Sequence, residues 1–153
     1  MILRKDRDKI MKVCVVGLGY IGLPTSLMLA AHGVETVGVD YNEELVQTLR
    51  EGKTTFEEKG LDELFQSALE KGIVFSSEYI STDMYIVAVP TPYDKFSKKI
   101  DATYVVNAVK DVMLVCHKGS TLVIESTVSP GTIDRFVRPA VEANGFRLGE
   151  DIH

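Results

Sequence analysis

Apolar positions along this chain follow two alternating rhythms. "KVCVVG", residues 12–17, is an unbroken apolar run of strand length, and Tyr20 to His32 has the length and composition of a helix ending before Gly33. Pro24 lies in that helix's first turn, where a missing amide proton costs little. Val34 to Asp40 reads as a second buried strand, and Asn42 as the N-cap of a helix through Arg50 that Gly52 ends. Leu61, Leu64, Phe65, Ala68 and Leu69 recur at helical spacing up to Gly72, and Thr55 with Glu58 has the spacing of a capping box ahead of them.

The rhythm repeats in the second half. Ile73 to Phe75 is a short strand and Met84 to Val89 a longer one, whereas residues 90–101, polar and carrying two prolines, read as a loop. Asp101 can cap a largely apolar helix to about Lys118, and Ser120 to Glu125 is the next strand. Ile133, Phe136, Val137, Ala140 and Val141 form a last helical stripe up to Gly145, in which Pro139 predicts a kink. The tail from Phe146 is read as the start of a further strand.

Strands alternating with helices predict an α/β fold: one domain, residues 12–153, built on a doubly wound parallel sheet ordered 3-2-1-4-5 behind an N-terminal extension, residues 1–11. A chain of 153 residues buries roughly 70% of its unfolded surface, enough to stand without disulfide or metal. Cys14 and Cys116 match no zinc spacing and are expected to be reduced core residues. The three histidines are scattered, so no metal site is expected. A net charge of −5 without a basic stripe argues against a nucleic-acid partner. Residues 1–11 lack the apolar core of a signal peptide, and no apolar run approaches the ~20 residues of a membrane span, so a soluble cytoplasmic protein is expected.

Gly17-Leu18-Gly19-Tyr20-Ile21-Gly22 fits G-x-G-x-x-G between a predicted strand and a predicted helix, the context of a Rossmann dinucleotide loop. Gly17 permits the tight turn, Gly19 the approach of a pyrophosphate, and Gly22 the close packing of helix on strand. The amides of Tyr20 and Ile21, at the helix's positive end, would receive the anion. Asp40 ends the second strand eighteen residues beyond Gly22, where a carboxylate accepts from the adenosine ribose hydroxyls. A 2′-phosphate would meet that carboxylate with no cation in Tyr41 or Asn42 to offset it, so NAD is favoured over NADP, while FAD shares the same fingerprint.

Two other strand ends carry unusual chemistry. In Val89-Pro90-Thr91-Pro92 the prolines fix the direction of Thr91, whose hydroxyl could meet the nicotinamide ribose or the diphosphate. In Glu125-Ser126-Thr127-Val128-Ser129-Pro130-Gly131-Thr132, the hydroxyls of Ser126 and Thr127 could touch the cofactor, substrate or a water.

"GLGYIGLP", "GVD", "VPTP" and "ESTVSPGT", in this order and spacing, resemble the N-terminal domain of the UDP-glucose/GDP-mannose dehydrogenase family over residues 12–152. The resemblance implies NAD as cofactor and a UDP-sugar substrate, oxidised at C6 from alcohol to carboxylate by two hydride transfers through a thiohemiacetal and thioester on a cysteine. "ESTV…PGT" resembles the branch acting on UDP-N-acetylhexosamines, with UDP-N-acetylmannosamine the expected sugar. It further implies that Gly17, Gly19, Tyr20, Ile21 and Gly22 hold the pyrophosphate and Asp40 the adenosine ribose, and that Thr91 approaches the cofactor. Thr127 would lie near the reacting carbon or its catalytic water. The family's catalytic cysteine stands in a G-G-x-C-x-P-x-D-like context that neither "KVCVV" nor "LVCHK" matches. The chain is therefore expected to be the cofactor half of an enzyme, binding NAD without turnover, while the central domain that makes the family's homodimer is absent. The alternatives are the N-terminal domain of a β-hydroxyacid dehydrogenase and a stand-alone NAD-sensing module.

Overall fold

Five of the apolar runs pair into one parallel sheet in a computed structural model that describes residues 11–96 and 98–153. The expected N-terminal extension lies, apart from Met11, outside the described residues. The strands are β1 (Lys12–Val16), β2 (Glu35–Val39), β3 (Val74–Ser76), β4 (Met84–Val87) and, beyond a small hairpin, β7 (Thr121–Ile124). Their order, β3-β2-β1-β4-β7, is the expected one, with β7 in the fifth place. The register sets Cys14 of β1 between Val37 of β2 and Tyr85 of β4, so side chains of one parity share a face.

Helices cover both faces. On one lie α1 (Gly22–Ala31), α2 (Glu43–Arg50) and α3 (Leu61–Glu70), which bury Leu23, Leu27, Val46, Leu49 and Phe65 against Leu18 and Phe75. On the other, α4 (Thr103–Val115) and α5 (Arg138–Ala143) pack Val105, Val109, Val112 and Val141 onto Cys14, Val39, Tyr85 and Val87. Each fully buried Leu or Val contributes about 1.5–3 kcal/mol relative to exposure, so the sheet is held from both sides. Cys14 is wholly buried and its thiol is pushed up to about 12 by desolvation. Cys116 is only half-buried at the end of α4, with Met113 beside its sulfur.

One connection stands out, and three expectations change in detail. The crossover from β3 to β4 has no helix: residues 77–83 carry the chain under β2 and β1, with Tyr79 and Ile80 packed on the core. Three strand spacings are about 14 Å, which seven extended residues span easily. Within the loop read at 90–101, β5 (Tyr93–Asp94) and β6 (Lys99–Ile100) pair antiparallel. The Thr55/Glu58 capping box does not form, because Gly60, at φ +83°, stands at the N-cap of α3 and Thr54 bonds Asp62 instead. Finally, the helix expected across Pro139 is a π-helical turn, Ile133–Val137, followed by α5. A proline ring clashes with the carbonyl four residues back, and a wider turn relieves that clash.

The tail does not make a full strand. Ile152 forms an isolated parallel bridge with Ser120, and Leu122 N donates to His153 O at 2.7 Å, so the chain runs alongside the free edge of β7. Asp151, which accepts from Arg147 and Lys118, pins this segment.

Candidate functional site

The glycine loop is shaped by what surrounds each glycine. Gly17 has φ +91°, and a Cβ there would lie 2.8 Å from the Ala88 carbonyl oxygen. A Cβ on Gly22 would overlap the Gly17 carbonyl oxygen, because α1 starts directly over the end of β1. Gly19 is different: a Cβ there would meet nothing within 4 Å, so its open side faces the space a ligand would enter. The amides of Gly19, Tyr20 and Ile21 donate to no protein atom among the described residues. No side chain caps α1, and its first turn carries no acidic residue. Three unpartnered donors at the positive end of a helix can receive an anion of the diphosphate class.

Asp40 closes the other side of the loop. Its Oδ2 accepts from the Leu18 amide at 2.8 Å and its Oδ1 from the Asn42 amide at 2.9 Å. The carboxylate therefore ties the glycine loop to the start of α2, where Asn42 caps by accepting from Leu45 N. Each oxygen keeps a lone pair for a further donor. Gly38 went unremarked in the sequence, yet a Cβ on it would come within 2.9 Å of Leu18 Cδ2, so a glycine inside β2 makes room for the buried side chain beneath the loop.

At the ends of β4 and β7 the hydroxyls are already at work. Thr91 Oγ1 donates to the Thr127 carbonyl at 2.7 Å, joining the two strand-end loops. Its proton is thus engaged, and Thr91 can offer a ligand only an acceptor. Ser126 Oγ donates to Val89 O at 2.8 Å and its amide to Val87 O, which makes it a tie between the strand ends. The Thr127 hydroxyl has no hydrogen-bond partner among the described residues. Glu125, which precedes them, accepts from Thr25 Oγ1 of α1 at 3.2 Å.

All the predicted residues except Gly22 line one cavity of about 510 Å³ at the carboxyl end of the sheet. It runs from Asp40 and Tyr41, past Gly17, Gly19, Tyr20 and Ile21, to Thr91, Ser126 and Thr127. Gly22 lies beneath, spacing helix from strand. The Tyr20 ring stacks at a tilt on Phe56, 4.5 Å between centroids, which brings the segment before α3 against the loop. A second cleft of about 270 Å³ adjoins across Gly17, Asp40, Val89 and Pro90, bounded by Tyr79, Tyr104 and Asp111. Sequence reasoning missed it because its walls come from five separate segments of the chain. Burial, with the charge of Asp111 next in effect, raises the Tyr79 phenol above its ordinary range, so Tyr79 presents a neutral hydroxyl. No group of three or more metal-ligating side chains occurs among the described residues, and no helix there is long and apolar enough to cross a membrane.

Known proteins resemble this chain in sequence and fold. The UDP-N-acetyl-D-mannosamine dehydrogenase of Methanococcus aeolicus is 45% identical over 139 residues, 88% of this chain and 32% of its own length. The solved UDP-N-acetyl-mannosamine dehydrogenase of Staphylococcus aureus superposes with a TM-score of 0.87 at 43% identity, over 92% of this chain and 35% of that one. A ternary complex of GDP-mannose dehydrogenase from Pseudomonas aeruginosa follows at TM-score 0.83 and 26% identity, over 94% of this chain and 35% of its own. The chain thus spans about a third of the length of the relatives it matches. Residues 11–152 match the UDP-glucose/GDP-mannose dehydrogenase family, NAD binding domain, and this chain belongs to that family.

Proposed function

We propose that this chain binds NAD, rather than NADP, as the cofactor-holding part of a cytoplasmic enzyme that oxidises the C6 alcohol of a UDP-sugar, UDP-N-acetylmannosamine, to the carboxylate. The observation that carries the reading is the pairing of three unpartnered amides at the start of α1 with the Asp40 carboxylate in one cavity. The diphosphate sits on the amides of Gly19, Tyr20 and Ile21, with Gly17 and Gly22 shaping the turn. The adenosine ribose hydroxyls donate to Asp40, and adenine enters the adjoining cleft beside Tyr104. A 2′-phosphate would bring negative charge against a carboxylate that two backbone amides already fix in place.

The nicotinamide half runs toward β4 and β7. Since Thr91 donates to Thr127 O, its oxygen suits a ribose hydroxyl as donor and not a phosphate, which only accepts. Ser126 acts through the backbone it fixes, and the Thr127 hydroxyl positions the substrate or a water near the reacting carbon. NAD supplies the hydride acceptor when bound. The cysteine chemistry and the homodimer surface that the family resemblance implies are assigned to no residue of this chain. Calorimetric titration of the chain with NAD and NADP tests the reading: NAD is expected to bind at least tenfold more tightly, and equal affinities would overturn the assignment of Asp40.

A further inference from the structure

The charged side chains lining the 510 Å³ cavity are both acidic. Asp40 follows β2 and Glu125 follows β7, three strand spacings or about 14 Å apart across the sheet. No lysine, arginine or histidine is among the lining residues. Thr25 Oγ1, reaching from α1, donates to Glu125 Oε1 at 3.2 Å, which turns the carboxylate toward α1 at the end of the cavity opposite Asp40.

This end receives the nicotinamide if the cofactor lies as proposed above, and the inference rests on that reading. The oxidised ring carries a positive charge and the reduced ring none, whereas the diphosphate is the same in both. A carboxylate near the ring attracts the oxidised form and does nothing comparable for the reduced one. We infer that Glu125 is a specificity-determining residue for the redox form of the cofactor, shifting the preference of this site toward NAD⁺ over NADH. Such a bias favours release of the reduced product after each hydride transfer. Glu125 is exposed, so solvent screens it, and its effect is about threefold at physiological salt and larger at low salt.

The experiment is calorimetric titration of the chain and of Glu125→Gln with NAD⁺, NADH and ADP at two ionic strengths. Glutamine keeps the size of the side chain and an acceptor for Thr25, so the fold is retained. The ratio of NAD⁺ to NADH affinity is expected to fall by about threefold or more in Glu125→Gln. In the parent chain it should also fall as salt rises, and in the variant it should not. A ratio unchanged by the substitution, or indifferent to salt in the parent, overturns the inference. ADP lacks the nicotinamide half and reports the rest of the site. If ADP and NAD⁺ both fail to bind the parent chain, the cofactor reading itself falls and takes this inference with it. ADP bound with an unchanged ratio removes the role of Glu125 alone.

Discussion

At the scale of single residues, the three glycines of the loop do different jobs, and substitution separates them. Gly19→Val places its side chain in open space and at an ordinary backbone angle, so the melting temperature should stay near that of the parent while NAD binding is lost. Gly22→Ala drives a methyl group into the Gly17 carbonyl, and should lower stability by about 2 kcal/mol or more, read as a drop in melting midpoint by circular dichroism. If both variants lost only binding, the packing role of Gly22 would be wrong. Asp40→Asn removes the charge and leaves one of two backbone amides facing an NH2 group. NAD affinity should fall by about 1–3 kcal/mol in calorimetry, with NADP affected less. Gly17 to Gly22 and Asp40 could be singled out because a strand-loop-helix pattern and a fixed spacing mark them, whereas the tie from Leu18 to Asp40, 22 residues apart, could not be read. Nor could the ties made by Thr91 and Ser126, since their partners lie 36 and 37 residues away and only the paired strand ends bring them together.

Elements were readable where an apolar pattern ran long enough to bury. β1, β2, α1, α4 and the Asn42 cap of α2 follow from runs and caps whose effect is local. The β5–β6 hairpin was not readable, because strands of two residues each carry no alternation to detect. The π-turn before α5 was half-legible: Pro139 signals a disturbance, but whether the helix bends or widens depends on how the turn packs. The tail segment offers a test at this scale. Hydrogen bonds from Arg147, then Lys118, hold the Asp151 carboxyl below its ordinary value of 3.8. A lowered folded value means the contribution is fully present above that ordinary value and is lost as pH falls through the lower one. Asp151→Asn should therefore loosen the Ile152–His153 edge at pH 7, seen as faster amide exchange at Leu122 and His153. The difference from the parent should shrink as pH drops below about 4. A difference independent of pH would assign the effect to shape and not to charge.

For the whole molecule, both cavities open at the carboxyl end of the sheet, and the strand order places them where the chain reverses direction between β1 and β4. Cofactor binding should accordingly stabilise the entire domain. At a concentration one hundred times its dissociation constant, NAD adds about 2.7 kcal/mol, or roughly 5–10 °C in melting temperature for a domain of this size. NADP at the same concentration should give much less, and a thermal-shift assay compares the two directly. The double use of Asp40 has a consequence for anyone rewriting this preference. On the proposed reading, the atoms that would accept from the ribose are the same atoms that fasten the glycine loop to the next helix, so selectivity and scaffold cannot be edited separately. A swap to arginine for a phosphorylated cofactor would strand the Leu18 and Asn42 amides. A successful redesign has to supply them with new acceptors first, and only then change the sign of the charge.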